Sequence, residues 1–447
     1  VQGPLSGTYT IGTLFAGNPR NFTTIQDAIN ALYQRGVGGP VVFEFTDAYY
    51  EVGDGNAGQP AIDLSSRIIG VGPQNTVTFR AYGQRALQRG SVTIRLKSGS
   101  GIGIFMGQST TPSNMGAVYY VTRDPKDANF SGYIIFDGGQ QRSLKFELEA
   151  PVGQGRRAVF YLGRGVHHVE VRNCILGNAP TTSASYATSL PRVRLNVALG
   201  QFEWEPDVRV IGGQPVTYSA GVVVRNWRIS AYQGVDVLDT VGCSYNVVAG
   251  NEISGFGYGI VSLGLGPLKE AGPGKVRRYY NVGNRFEGNV ITNVRGAGIV
   301  LGYEEGAVVK GNRIDNVGKG STGGSEPAAG IIVGGFGAYN CIGVVVEGNE
   351  ISRVESDVMA RGIVVEQVQN YLTGLEPQPV VMPDVAERVR VVNNVVWDIR
   401  RGASGAHAAG IHVWTERDPS ATGFNALVVP RRWGYWTVSY THLRSPR

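Results

Sequence analysis

The sequence predicts an all-β chain wound as a parallel solenoid and closed at its N-terminal end by one amphipathic helix. Three observations predict it. A short phrase recurs along the chain: a few β-branched residues, then Gly-Asn or Arg-Asn, then an aliphatic pair, then Gly-Ile. Each copy alternates apolar and polar residues with period two, which is the period of a strand and not of a helix. Of the 447 residues 65 are Gly, as a chain that turns many tight corners requires.

The elements follow in chain order. Residues 1–39 are read as an N-terminal strand and a capping helix. In FTTIQDAINALYQR (22–35), Phe22, Ile25, Ala28, Ile29 and Leu32 share one helical face. Thr23 and Gln26 have capping-box spacing, and Gly36 is the stop. A solenoid needs such a cover, because its first coil is otherwise an open edge. PVVFEF (40–45) begins the strands. From Ile68 to Leu162 the pattern loosens through TVTFRAYG, SVTIRLKS, GIGIFMG, GYIIFDGG and AVFYLG. These read as irregular coils of the same solenoid, with a separate small β domain as the alternative.

The repeat proper runs through VEVRNCIL (169–176), VVVRNWRIS (222–230), VVAGNEIS (247–254), RFEGNVIT (285–292), VVKGNRID (308–315), VVVEGNEIS (344–352) and VRVVNNVVW (389–397). Its asparagines are Asn173, Asn226, Asn251, Asn289, Asn312, Asn349 and Asn394, spaced by 53, 25, 38, 23, 37 and 45. The short spacings are bare coils and the longer ones coils with a loop inserted, near 177–220, 264–280, 317–329 and 366–388. An Asn at the same corner of each coil tolerates a left-handed turn, and its amide can serve the turn backbone of the next coil. One coil cannot bury its apolar face alone, so stacking is obligatory.

This pattern resembles the right-handed parallel β-helix of the pectate-lyase-like superfamily, over about residues 40–430. The resemblance implies the fold; it does not imply one activity, because that fold carries lyases, hydrolases, tailspikes, adhesins and structural proteins. The run GTYTIGT…NFTTIQDAINALYQRGVGGPVVFEF also resembles the start of large secreted β-helix proteins of Bacteroidota and related phyla. Those proteins often end in a sorting domain for type IX secretion, which is not seen here. The last ten residues, VSYTHLRSPR (438–447), look like reading frames of a sequencing adapter. They are read as a non-native tail on a truncated environmental sequence, leaving 40–437 as the solenoid.

Composition excludes several classes. No apolar run approaches a membrane span. The net charge of +6 is small, and the arginines are scattered among acids rather than clustered as a nucleic-acid face requires. Cys174, Cys243 and Cys341 lie far apart with no zinc or redox spacing, so at most one disulfide can form. No Walker loop or dinucleotide fingerprint is present. No cofactor is expected; calcium enters only under a lyase reading.

For chemistry, the residue after each Gly-Ile should face outward, giving Asp236, Val261, Val300, Ile332, Val364 and His412. Two residues on stand Leu238, Leu263, Gly302, Gly334, Glu366 and Trp414. The middle of this outer stripe, Val261, Val300, Ile332 and Val364, is aliphatic. It must be covered by the insertions or serve as an interface, such as lateral packing in a fibre. The weak catalytic candidates are Asp236 and Asp239, which a regular strand would point to opposite faces. The substrate-binding candidates are Trp204 with Glu203, Glu205 and Asp207 in the first insertion, and Glu366, His412 and Trp414 at the end of the stripe. Aromatics flanked by acids suit a sugar ring and its hydroxyls. Glu304–Glu305 reads as a solvated turn and His167–His168 as a coil-edge pair; no metal site is expected. The expected protein is therefore extracellular or on the cell surface. It would act by binding or structure on a polysaccharide or cell-surface glycan, or by self-association. A polysaccharide lyase or glycoside hydrolase is the alternative.

Overall fold

The computed structural model describes residues 2–65, 68–107, 132–150, 157–163, 165–191, 193–196, 201–204, 209–211, 214–226, 242–264, 266–269, 276–334, 341–368, 371–372, 380–381, 389–416 and 442–444. The chain is a parallel β-helix. Among the described residues an 11-stranded and a 17-stranded sheet carry the coils. The first, here the back face, stacks Val37–Phe45, Val77–Ala81, Ile134–Asp137, Glu170–Arg172 and so on to Arg390–Val392, each parallel to the last. The second folds into two faces. Long strands such as Glu252–Leu263 and Val290–Gly302 run through both, bending where the register shifts between Phe256 and Tyr258. Their first halves form an open face and their second halves a covered face. The described strands within 68–162 belong to the same sheets: Val92–Lys97 pairs with both Tyr49–Val52 and Leu144–Glu149.

Inward side chains stack coil on coil. Phe43, Phe79 and Phe136 form a column with ring centroids 5.1 and 4.8 Å apart, close to the spacing of paired strands. The N-terminal helix, Ile25–Arg35, buries Ile25, Ala28, Ile29 and Leu32 in this interior core. Its cap is Thr24 rather than the expected Thr23. The Asp27 N–H donates to Thr24 Oγ1 at 3.1 Å, and extended backbone at Thr24 sets the frame one residue later. Gly36 closes the helix at φ 66°, its N–H bonding Leu32 O.

The repeat is phased differently from its sequence reading at two asparagines. Along one corner the side-chain amides of Asn251, Asn289, Asn312 and Asn349 donate to Oδ1 of Asn289, Asn312, Asn349 and Asn394 at 3.1, 3.0, 2.9 and 2.9 Å. Each Oδ1 also accepts the preceding coil's backbone N–H. Asn173 is not in this column. Its neighbour Cys174 is, giving its N–H to Asn251 Oδ1 at 2.9 Å. Asn173 instead adopts φ 52°, level with Gly250, Gly288, Gly311, Gly348 and Asn393, all at positive φ. Asn and Gly are the residues that tolerate that turn, which is why the frame slipped by one. Asn226 lies at a different corner, its N–H bonding Leu263 O. The expected steps of 53 and 25 are therefore one coil, 77 residues from Cys174 to Asn251. Residues 442–444, set aside as part of a non-native tail, pair in parallel with Val395–Trp397.

Candidate functional site

The outer column of the covered face runs, in register, through Asp63, Phe105, Tyr161, Val223, Val261, Val300, Ile332, Val364 and His412. Val223 thus holds the place expected for Asp236, with the Gly-Val of 221–222 aligned on the other Gly-Ile pairs. Asp236, Leu238 and Asp239 lie outside the described residues, as do Glu205 and Asp207. Glu203 and Trp204 stand on Gln201–Trp204, an antiparallel partner of Val193–Asn196 outside the solenoid sheets.

Val261, Val300 and Val364 are fully buried and Ile332 is 5% exposed. With Tyr161, Tyr258, Tyr303 and Leu190 they form a second apolar cluster, separate from the interior core. Part of its cover is the segment 183–190 of the first insertion. Ser219 N–H bonds Ala187 O at 3.0 Å, Ser189 N–H bonds Thr217 O at 2.9 Å, and the Tyr258 hydroxyl donates to Thr188 O at 2.7 Å. The stripe is therefore buried within its own chain, and the alternative of an interface open to another copy is corrected.

At the C-terminal end this apolar column gives way to charge. Arg361 takes the outer position occupied by Ala329 and Ala409 on the adjacent coils. Its Nη1 reaches along its own strand to Glu366 Oε1 at 2.8 Å and contacts His412 Nδ1 at 3.2 Å. The two charged side chains are only 11% and 13% exposed. A guanidinium can only donate, so His412 Nδ1 accepts and the ring proton sits on Nε2. Burial, and then the Arg361 charge, hold the His412 pKa below its usual value, with Glu366 pulling the other way. Arg361 Nε is buried without a hydrogen-bond partner among the described residues. Glu366 and His412 were legible as candidates; Arg361 was not. Trp414 pairs with Glu366 in the strand ladder.

Glu304 is the second departure. It was expected in a solvated turn, yet it is fully buried. Its backbone pairs with Asn281, turning the carboxyl inward. Ser262 Oγ and Asn281 Nδ2 donate to Oε1, the latter at 3.0 Å, and Asn284 Nδ2 donates to Oε2 at 3.1 Å. Burial outweighs these donors and pushes its pKa up to about 8. His167 and His168 meet Nδ1 to Nδ1 at 3.0 Å, and His168 stacks between Tyr133 and Tyr245 at 4.8 and 5.2 Å. Burial, with a smaller push from His168, lowers His167 to about 4. All three cysteines are buried and none is in a disulfide. Among the described residues no group of three or more His, Cys, Asp or Glu side chains could hold a metal ion, and no helix is long and apolar enough to cross a membrane.

No family model matches the chain, and no curated protein does. Among solved structures it is similar to PfbA, a surface adhesin of Streptococcus pneumoniae, at 13% identity over 86% of this chain and 76% of that one, with a TM-score of 0.40. It is similar to a GH136 lacto-N-biosidase from Eubacterium ramulus at 11% identity over 92% and 68%, with a TM-score of 0.46. A Paenibacillus alginate lyase shares 12% identity over 86% and 96%, with a TM-score of 0.30. At these identities the likeness is one of fold alone.

Proposed function

We propose that the chain is an exported or cell-surface β-helix protein that binds a polysaccharide or cell-surface glycan at the Arg361–Glu366–His412 cluster. One observation carries this reading: a strongly apolar outer column, covered by the chain itself, is broken by a mostly buried guanidinium whose Nε has no described partner. Buried donors of that kind call for a partner, and a ligand group is one. The cluster offers donors from Arg361 and His412 and acceptors from Glu366, the mixture that sugar hydroxyls use. No cofactor enters this reading.

A catalytic reading is favoured by one feature, the convergence of an acid, an arginine and an uncharged imidazole. A glycoside hydrolase needs a second carboxyl across the bond, and among the described residues none is hydrogen-bonded to Arg361 or His412. Calcium belongs only to the lyase version. The test is retention of the chain on immobilised polysaccharides, with reducing ends and unsaturated products followed alongside, with and without calcium. Retention without turnover, abolished in Arg361→Ala, is expected. Turnover would replace the binding reading with the catalytic one.

A further inference from the structure

We propose that Glu366 sets the specificity of this cluster: by occupying the charge of Arg361 it fits the site to the hydroxyls of an uncharged sugar and turns sugar acids away. The inference rests on the cluster being a glycan site, and deepens that reading by naming the class of sugar.

The charge balance is the reason. Arg361 carries one positive charge and Glu366 matches it at 2.8 Å, both largely out of water. In register with Arg361 stand Ala329 and Ala409, and in register with Glu366 stand Gly334 and Trp414. Among the described residues, the register partners on either side therefore add no charge beside either member of the pair. His412, the remaining titratable group in contact among the described residues, has its pKa held below the usual value by burial and by Arg361 itself, which favours the uncharged ring. A ligand carboxylate would have to share one guanidinium with Glu366, setting two like charges together where water screens them little. It would also leave the second oxygen of Glu366 without a donor, since a carboxylate only accepts. A sugar hydroxyl both donates and accepts. It can take a hydrogen bond from Arg361 or from His412 Nε2–H and give one to Glu366.

The experiment compares retention on neutral polymers (xylan, mixed-linkage glucan, galactomannan) with retention on acidic ones (polygalacturonate, alginate). It uses the full chain, its Glu366→Gln variant and its Arg361→Ala variant. The wild-type chain should bind at least one neutral polymer and bind acidic ones at least tenfold more weakly. Glu366→Gln keeps the shape and removes the charge. It should raise affinity for the acidic polymers at least tenfold, in a salt-dependent way, and Arg361→Ala should remove both kinds of binding. Wild-type affinity for acidic polymers equal to or above that for neutral ones would overturn the proposal, a comparison that stands if the variant does not fold. Unchanged acidic affinity in folded Glu366→Gln would overturn it too. Absence of retention on every polymer would sink the glycan reading itself, and this inference with it.

Discussion

The open and covered faces share the strands Glu252–Leu263 and Val290–Gly302, yet they are stabilised by different means. Within Glu252–Leu263, Glu252 stands on the open face and Val261 on the covered one. The open face carries ion pairs between coils: Arg95 with Glu147 at 2.6 Å and Lys97 with Glu51 at 3.0 Å on neighbouring coils, and Arg142, in the turn before Leu144–Glu149, with Glu252 two coils on at 2.8 Å. Trp397 remains 37% exposed there. The covered face is a second core of Val261, Val300, Val364 and tyrosines, with the inserted segment 183–190 over part of it. Inside the solenoid the two look alike, since inward residues of both enter one core. The difference is set outside, by what lies over the sheet. An outward position is therefore polar or apolar according to its cover and not according to its strand.

The largest effect should come from putting a charge under the cover. Val300→Lys buries an unpaired ammonium and should cost about 3 kcal/mol or more in chemical denaturation. Thr292→Lys, on the open half of the same strand, should stay within about 0.5 kcal/mol. Similar costs at the two sites would erase the distinction between the faces. Next comes the corner where the open face meets the back face, since an uncovered face leans on its edge. Asn312→Ala strips Asn289 of a buried acceptor and Phe286 O of a donor. It should lower stability by about 2–3 kcal/mol.

The buried acid gives a pH test. The Glu304 pKa is pushed up to about 8 from 4.5. Its stabilising contribution is then complete below pH 4.5 and lost as pH rises through 8. The melting temperature of the wild type should fall across that interval, and the fall should be shallower in Glu304→Gln, which cannot ionise. Equal slopes would mean that other groups set the alkaline limit. The smallest effects belong to the ion pairs. Glu147→Gln, at a pair 15% and 7% exposed, should cost about 2 kcal/mol. Glu51→Gln, at a pair 37% and 48% exposed, should change stability far less than Glu147→Gln, by an amount that vanishes in high salt.

Much of the fold was legible because period-two alternation and Gly-Ile together phase a strand. They placed Val261, Val300, Ile332 and Val364 outward and their preceding isoleucines inward. What they could not phase was a corner where Asn replaces Gly, so Asn173 and Asn226 were assigned to a column they do not join. Two Gly-Val pairs thirteen residues apart, 221–222 and 234–235, compete for one place in the repeat; Val223 takes the aligned position, and Asp236 lies outside the described residues. Glu366 and His412 followed from counting along strands. Arg361 did not, because its reach depends on a long side chain laid along the sheet, past Val364, to a partner five residues on. The inward turn of Glu304 depends on Ser262, Asn281 and Asn284, which lie 42, 23 and 20 residues before it and reach it only once the coils stack.

The coil from Cys174 to Asn251 uses 77 residues and the coil from Asn289 to Asn312 uses 23. Each nonetheless advances the axis by one strand spacing, about 4.8 Å. Pitch is thus independent of chain length, and the solenoid behaves as a ruler whose marks stay fixed whatever hangs from them. An insertion can lengthen, shorten or change its sequence at one coil without displacing a side chain on the next. That lets a recognition loop diverge quickly over a frame that does not have to change with it.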